Sequence, residues 1–233
     1  MDSGRPFIVA IDGPAGAGKS TASKVLAQRL GFTLVDTGAI YRSAALVALE
    51  HGIEGGENGR LRELLERMRL EFQPLADENR VFLDGRDVSE RIRTPEVSMA
   101  ASRISADPSV RQALLPLQRR LALQAERGSV LEGRDVGTVV FPDADVKFFL
   151  DAAPEIRARR RREELLKKGI ARSPEEVLAE QARRDRDDST RQVAPLRAAT
   201  DALVVDSSKL SISEVVARME KIIRDRWAEK GDA

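Results

Sequence analysis

The chain has 233 residues, 42% hydrophobic and 33% charged, and its 39 Lys and Arg against 38 Asp and Glu leave a formal charge of +1. This length can bury a real core in one large domain or two small ones, and the near-neutral charge argues against general adhesion to nucleic acids or membranes. Cysteine is absent, which excludes disulfides and cysteine-based zinc or redox chemistry, and a single histidine excludes a histidine-rich metal site.

No apolar run reaches membrane-spanning length, and residues 1–5 show no basic-then-apolar signal segment. We therefore expect a cytoplasmic protein that is a monomer and has no nucleic-acid or membrane partner.

Strands and helices are predicted to alternate along the chain. The first strand, Phe7–Ile11, ends at Asp12, and a helix over Lys19–Leu30 stops at Gly31, a typical C-terminal cap. Further apolar runs predict four more buried strands, at Phe32–Val35, Ser129–Leu131, Val146–Leu150 and Ala202–Val205. Other helices are predicted at Ala39–Glu50, Pro108–Arg127, Pro154–Lys168, Pro174–Thr190 and Ser213–Trp227. This order predicts an α/β protein with a parallel sheet and helices on both faces.

One region breaks the alternation. Leu70–Phe72, Arg80–Leu83 and Arg86–Val88 are short strand-like runs separated by turn-rich residues, and they predict a small antiparallel meander. The string GRDV occurs both on this meander, at 85–88, and at the end of a predicted core strand, at 133–136. We expect the meander copy, with Arg86 and Asp87, to be exposed and without a role in the site.

Residues 13–20 read GPAGAGKS and match the P-loop pattern G-x-x-x-x-G-K-[ST] between a predicted strand and a predicted helix. Such a loop wraps backbone N–H groups around phosphates, and the helix N-terminus adds partial positive charge. Lys19 is expected to reach the β- and γ-phosphates, and the Ser20 hydroxyl to ligate Mg²⁺. The predicted triphosphate-binding residues are Gly13, Pro14, Ala15, Gly16, Ala17, Gly18, Lys19, Ser20 and Thr21.

A P-loop alone does not separate GTPases, motor ATPases and small-molecule kinases. A GTPase should carry Asn-Lys-x-Asp, but neither Asn58 nor Asn79 is followed by lysine. A motor ATPase usually acts on a partner or a nucleic acid, and this chain is short and nearly neutral. A small-molecule kinase is favoured; a P-loop regulator or nucleic-acid-dependent ATPase is the alternative.

Arginines follow the predicted strands, where ligands of open α/β sheets bind. Thr37 is predicted as a helix cap or an anion contact after the second strand. Arg42 lies in the first turns of the next helix, where it opposes the helix dipole at a cost of about 0.3–1 kcal/mol that a bound phosphate would offset. A solvated surface arginine is the alternative for Arg42. The third strand leads into Arg134 and Asp135.

The helical segments at 154–168 and 174–190 are rich in arginine and are joined by a short glycine-containing link. In the second segment, Arg184, Asp188 and Arg191 have i, i+4, i+7 spacing and share one helix face. We expect a hinged lid that closes over phosphates, concentrates positive charge there and excludes water.

Five ordered motifs cover nearly the whole chain: IDGPAGAGKST, DTGAIYR, GRDVGTVVFPDA, RRDRDDSTR with VAPL, and DALVVDSS. Together they resemble the bacterial cytidylate (CMP/dCMP) kinases of the nucleoside monophosphate kinase family, and DGRDVSERIRTPEV resembles the insertion of that family. The resemblance implies a P-loop nucleoside monophosphate kinase fold: a five-stranded parallel sheet flanked by helices, an inserted antiparallel meander and a helical lid. It further implies one domain, 1–233, divided into a core (5–36, 129–154, 193–233), a monophosphate-binding region (37–128) and a lid (155–192).

The implied activity is transfer of the γ-phosphoryl group of MgATP to CMP or dCMP. By matched position, the acceptor-site residues are Thr37, Tyr41, Arg42, Ser102, Arg111, Arg134, Asp135, Arg184, Asp188 and Arg191. Within this set, Arg42, Arg134 and Arg191 would hold the phosphate. Arg184 and Asp188 would meet the sugar, and the base would contact Ser102, Arg111 and Asp135.

The same resemblance assigns the lid arginines Arg157, Arg160 and Arg161 to the phosphates of ATP. The implied catalytic residues are Lys19, Arg134, Arg157 and Arg161. Asp36 is a candidate for orienting water around the metal, and residues 206–208 for contacting adenine.

The chemistry of the base supports Asp135 independently of the resemblance. Cytosine offers an N4 amino donor with N3 and O2 acceptors, so an aspartate plus an arginine complements it. Uracil presents an O4 acceptor in place of that donor, which predicts a preference for CMP over UMP. Because the acceptor is itself a phosphate, no general base is expected. A kinase of the same architecture that acts on UMP or another polar metabolite is the second alternative.

Overall fold

A computed structural model describes residues 4–53, 59–75, 78–167 and 169–231. In chain order the strands are β1 (Phe7–Asp12), β2 (Thr33–Asp36), β3 (Leu70–Leu75), β4 (Glu78–Leu83), β5 (Arg86–Asp87), β6 (Gly128–Gly133), β7 (Val146–Asp151) and β8 (Leu203–Asp206). Five of them form one sheet in the order β2-β6-β1-β7-β8, in which every neighbouring pair is parallel. The predicted five-stranded parallel sheet is confirmed, with β1 at its centre. The prediction that the last strand is buried is wrong, because β8 lies at the edge of the sheet with Leu203 and Val204 exposed.

The helices are α1 (Lys19–Leu30), α2 (Thr37–Glu50), α3 (Gly59–Arg67), α4 (Pro95–Ile104), α5 (Pro108–Leu123), α6 (Pro154–Lys167), α7 (Pro174–Thr190) and α8 (Ile212–Gly231). A short 3₁₀ turn covers Arg91–Arg93, and a π-helical turn covers Val136–Val140. Within the described ranges, no helix combines the length and the apolar character that crossing a membrane requires.

Alternation along β1 divides the core between the two faces of the sheet. Ile8 and Ala10 belong to a cluster with α2, α3, α4, α5 and the meander, whereas Val9 and Ile11 belong to a second cluster with α1 and α8. Because successive strand side chains point to opposite faces, this one apolar strand contributes to both cores. The predicted helical layers on both faces are confirmed.

The helix boundaries differ from the sequence predictions at specific residues. α2 begins at Thr37, two residues before the predicted start, because the Asp36 carboxylate accepts a hydrogen bond from the Ala39 N–H at 2.8 Å and caps the helix. The predicted capping role of Thr37 is therefore wrong. Its hydroxyl instead donates to the backbone oxygen of Glu132 at 2.7 Å.

Two helices were not predicted, α3 and α4, and α5 ends at Leu123 rather than at Arg127. A start signal for α4 exists in the sequence, since Thr94 is its N-cap and Pro95 occupies the first helical position.

The antiparallel meander is confirmed as a separate three-stranded sheet, β3-β4-β5. The Asn79 side chain donates to the backbone oxygen of Leu34 at 3.4 Å, which joins this sheet to β2. The first GRDV copy lies here, with Arg86 and Asp87 exposed and Asp87 paired with Arg80 at 2.8 Å. The expectation that this copy is a surface feature is confirmed.

Two methionines that differ in burial allow the contribution of the core between α8 and the sheet to the free energy of unfolding to be measured. Met219 is fully buried between α8 and the sheet, whereas Met99 on α4 is 59% exposed. We expect Met219→Ala to lower the free energy of unfolding by about 2–5 kcal/mol, because it removes apolar contacts and leaves a cavity. Met99→Ala should change it by less than about 0.5 kcal/mol. Urea denaturation of both variants is the measurement, and equal losses would contradict this account of the core.

Candidate active site

The chain leaves β1 through a loop that only glycine can form. Gly13 has φ 148°, and a Cβ there would overlap the backbone oxygen of Leu150 on β7. At Gly16, with φ 77°, a Cβ would lie 2.8 Å from Nε2 of Gln181 and 3.0 Å from the backbone oxygen of Arg157. Gly18 is the N-cap residue of α1 with φ 96°, so the first N–H groups of that helix receive no side-chain cap. This geometry suits an anion at the helix N-terminus.

Lys19 is buried at the floor of this loop. Its ammonium donates to the backbone oxygen of Pro14 at 2.8 Å. Burial lowers the pKa of Lys19 to about 7, and the positive charge of Arg134 acts in the same direction. A bound polyanion would favour the charged form of Lys19 and so raise this pKa, opposite to the effect of Arg134.

A buried carboxylate, Glu132, lies beside the loop and was not identified from the sequence. The Ser20 hydroxyl donates to it at 2.8 Å. Burial raises the pKa of Glu132 to about 7, with the nearby charge of Asp36 acting in the same direction. The sequence feature that could have identified Glu132 is its position as the one carboxylate in β6, the strand next to β1.

A cleft of ≈780 Å³ brings together the residues that the sequence singled out. Almost every predicted triphosphate and acceptor residue lines it, from Ala15 in the P-loop to Arg191 at the end of α7. The predicted residues that do not line it are Gly13, Pro14, Arg157 and two of the adenine candidates, Asp206 and Ser208. Residues from strand ends, the P-loop, α2, α4, α5, α6 and α7 therefore face one shared volume.

The cleft lining includes a buried ion pair between Arg111 and Asp135. Their side chains are only 7% and 8% exposed, and the guanidinium carbon of Arg111 lies 5.3 Å from the centroid of the Tyr41 ring. Arg111 also donates to the backbone oxygen of Ser105 at 3.0 Å. The sequence predicted that Arg111 and Asp135 would both contact the base, and the structure adds that they pair directly with each other beside the Tyr41 ring.

Several further arginines line the cleft, and two of them share one carboxylate. Arg134 and Arg191 both lie near Asp188, at 2.8 Å and 3.7 Å, and Arg42 pairs with Asp36 at 2.9 Å. Among the described residues, the Nε atoms of Arg42 and Arg191 are buried and have no hydrogen-bond partner. Burial and neighbouring arginines lower the pKa of both Arg184 and Arg191. Such an excess of buried positive charge is the environment that a phosphate would stabilise.

The predicted lid helices lie directly on the P-loop, and their arginines differ in what they contact. Arg157 is buried and donates to the backbone oxygens of Ala152 and Ala15, at 2.9 and 3.1 Å. It also pairs with Asp185 of α7 at 2.7 Å. In this structure Arg157 therefore anchors α6 and α7 to the P-loop.

Arg160 and Arg161, by contrast, line the cleft. Arg160 donates to the backbone oxygen of Ser207 at 2.7 Å and to its hydroxyl at 3.0 Å. Arg161 pairs with Glu164 at 2.8 Å. Arg160 also donates to the backbone oxygen of Ala17 at 3.4 Å, so its guanidinium lies beside the loop that would hold phosphates.

Comparison with known proteins places this architecture in one family. A family model described as Cytidylate kinase matches residues 9–225. A cytidylate kinase from Geobacter sulfurreducens is 52% identical over 95% of this chain and 94% of that protein, and one from Citrifermentans bemidjiense is 48% identical over the same shares. Among solved structures, a gluconokinase from Sinorhizobium meliloti 1021 matches with a TM-score of 0.46 and 16% identity, over 97% of this chain and 95% of that one. The family match and the two kinase relatives span nearly the whole chain, and it belongs to the cytidylate kinase family.

Proposed function

We infer that this chain transfers the γ-phosphoryl group of ATP to CMP or dCMP, giving ADP and CDP or dCDP. The observation that carries this proposal is a single cleft that is lined by the P-loop, by the buried Arg111–Asp135 pair and by several further arginines. One nucleotide could therefore bind to the P-loop and a second to the Arg111–Asp135 pair, with the phosphates of both in the same cleft. Membership of the cytidylate kinase family supports the same reading.

At the donor end we propose that the P-loop residues bind the triphosphate of ATP, with Lys19 on its outer phosphates. Beyond the P-loop the cleft is lined by Ser207, Leu210, Ile212 and Val215. The three apolar side chains offer a surface for the adenine ring, which extends the sequence-based suggestion of residues 206–208.

At the acceptor end we propose that Asp135 accepts a hydrogen bond from the cytosine N4 amino group, while Arg111 donates to N3 or O2. Tyr41 supports Arg111 through its ring, and Ser102 lies at the same end. The phosphate of CMP would bind to Arg42, Arg134 and Arg191, and Arg184 with Asp188 would meet the sugar. The unpartnered Nε atoms of Arg42 and Arg191 support this placement of the phosphate.

The proposed mechanism relies on alignment and electrostatics. The acceptor phosphate oxygen is largely ionised near neutral pH, so it attacks the γ-phosphorus without a general base. Lys19, Arg134 and Arg161 would stabilise the charge that spreads over the transferring group. The proposed catalytic contribution of Arg157 is indirect in this conformation, since its guanidinium holds the lid against the P-loop.

The residues beside the P-loop also fit a magnesium ion. Ser20, Glu132 and Asp36 supply oxygen donors in the cleft lining. Oxygen donors suit Mg²⁺, which is usually held by one or two protein oxygens together with substrate phosphates. We propose that Ser20 would ligate it and that Glu132 and Asp36 would orient its water ligands. When bound, the ion would neutralise charge on the β- and γ-phosphates.

The division of the chain into a core, a monophosphate-binding region and a lid, with the boundaries given above, is part of the same proposal. The packing of α6 and α7 on the P-loop supports the lid assignment. We also propose a cytoplasmic monomer, on the basis of the composition and the small-molecule substrates.

The first test is turnover with a panel of acceptors. ADP release coupled to a second enzyme should be fast with CMP and dCMP, slower with UMP, and abolished by EDTA, because Asp135 complements the cytosine amino group and the donor is MgATP. Equal rates on CMP and UMP would contradict the role of Asp135. ATP hydrolysis stimulated by DNA or RNA, with no diphosphate product, would instead favour the regulator or ATPase alternative.

A second test uses the two GRDV copies as a matched pair. Asp135→Asn keeps the shape of the side chain but presents an amide donor to the cytosine amino group. We expect kcat/KM for CMP to fall by about 10- to 100-fold, because a hydrogen bond to a charged group contributes about 1.5–3 kcal/mol. The preference for CMP over UMP should shrink, and the affinity for an ATP analogue should change little.

Asp87→Asn is the control, since Asp87 is the exposed aspartate of the meander copy. It should leave the kinetic constants for CMP and UMP as they are in the unmodified protein. If Asp135→Asn also preserves the ratio between CMP and UMP, Asp135 does not select the base.

A third test follows from the lowered pKa of Lys19. With a pKa of about 7, Lys19 is mostly neutral at pH 8. A bound triphosphate favours the charged form and raises this pKa, so binding at pH 8 should take up a proton. Calorimetric titration of metal-free ATP analogue in two buffers of different ionisation enthalpy measures that uptake.

Lys19→Arg is the control for this titration, because arginine stays protonated at pH 8 and should reduce the uptake. A binding enthalpy that is the same in both buffers would show that Lys19 is already charged in the free protein.

A further inference from the structure

Asp12, the last residue of β1, lies where the P-loop meets the segment that follows β6. It is paired in register with Gly133 at the end of β6 and is followed directly by Gly13, where the P-loop begins. The chain leaves β6 through Arg134 and Asp135, the two residues proposed to hold the acceptor. Asp12 is buried, with 4% of its surface exposed, and it does not line the cleft.

The two carboxylate oxygens of Asp12 accept separate backbone hydrogen bonds. The N–H of Val136 donates to Oδ1 at 2.8 Å, and the N–H of Gly137 donates to Oδ2 at 2.7 Å. These are the first N–H groups of the π-helical turn that follows Asp135, and a helical turn cannot satisfy its own first donors. A residue from the central strand, 124 positions earlier in the chain, therefore caps this turn.

The joint between these segments is tightly packed. A Cβ at Gly137 would lie 3.4 Å from Oδ2 of Asp12 and 3.2 Å from the Lys147 side chain. At Gly133 it would lie 2.7 Å from the Thr37 hydroxyl and 2.7 Å from the Val136 side chain. A shift of the turn relative to β1 thus has little free space to enter, and the Asp12 hydrogen bonds define one position.

We propose that Asp12 is a positioning residue that holds the Arg134–Asp135 segment in register with the P-loop, and so sets the distance and angle between the acceptor and donor nucleotides. The inference rests on the proposed function, because it assigns Asp12 a role only if Arg134 and Asp135 bind the acceptor. In-line phosphoryl transfer depends on that register, since a misplacement of about 1 Å can lower a rate by roughly 100-fold.

The Asp12 side chain carries a charge at neutral pH although its burial favours the neutral form. Burial raises its pKa to about 6, and the neighbouring Asp135 acts in the same direction, whereas the two backbone N–H donors and Lys19 act against it. At neutral pH the carboxylate is mostly ionised and both of its oxygens accept. Keeping a buried charge in this position lowers the stability of the fold, which is typical of residues retained for function.

The test is Asp12→Asn, which keeps the volume but turns an amide donor towards one of the two N–H groups. Steady-state kinetics with CMP and UMP and calorimetry with an ATP analogue are the measurements. We expect kcat/KM for CMP to fall by roughly 100-fold and the CMP-to-UMP preference to shrink, because the Asp135 segment loses its register. The affinity for the ATP analogue should change by less than the CMP parameters do.

Asp145→Asn is the matched control. The Asp145 carboxylate accepts from the backbone N–H of Ile8 at 2.7 Å, near the opposite end of the same strand, away from the cleft. It should lower the thermal stability but leave the CMP-to-UMP ratio unchanged. If Asp12→Asn behaves in the same way, with lower stability and unchanged selectivity, Asp12 is only a structural cap and the proposal is overturned.

If Asp12→Asn is not recovered in folded form, Gly133→Ala takes its place, since it keeps Asp12 but its Cβ would lie 2.7 Å from the Val136 side chain and so displace the turn that Asp12 holds. Reduced CMP-to-UMP selectivity in that folded variant supports the proposal, and unchanged selectivity overturns it. The unmodified protein distinguishes the two levels of inference. If it turns over CMP and UMP equally, the base assignment under the proposed function fails, whatever Asp12→Asn does.

Discussion

The structure depends on the parallel pairing of β1 with β6. These strands run side by side from Phe7 opposite Gly128 to Asp12 opposite Gly133, so the segments that follow them leave the sheet at the same edge. A glycine follows β1 and another ends β6, because neither turn has room for a side chain. The P-loop and the Arg134–Asp135 segment are therefore neighbours as a consequence of strand register.

The closeness of these two segments also brings many charged side chains together, and the described residues neutralise these charges only in part. The Arg and Lys side chains that line the cleft outnumber the Asp and Glu side chains there, and burial with like-charged neighbours lowers the pKa of Arg184, Arg191 and Lys19. Burial also raises the pKa of the Asp12 and Glu132 carboxylates, because it removes the water that would stabilise their charged form. pKa shifts in both directions in and around one cleft are typical of a functional site, and charged ligands such as the two proposed nucleotides would complete this one.

The two GRDV strings show why a short motif needs its structural context. At 85–88 the arginine and aspartate lie exposed on a small antiparallel sheet, and Asp87 pairs with Arg80. At 133–136 the same letters end a buried central strand, and Asp135 pairs with Arg111 from a helix 24 residues away. Burial and a shared cleft distinguish the second copy, and neither is encoded in the four letters.

Features with local causes were predictable from the sequence alone. The five core strands are continuous apolar runs, the P-loop has a glycine pattern required by its backbone, and the family motifs identified the arginines of the cleft. Contacts between distant residues could be decided only by the tertiary structure: Asp12 on the Val136 turn, Glu132 on Ser20, Arg111 on Asp135, and Arg157 on the P-loop backbone rather than in the cleft. Residue type and spacing specify local backbone conformation, whereas the partner of a buried charge is set by which strand ends and helix faces the fold brings together.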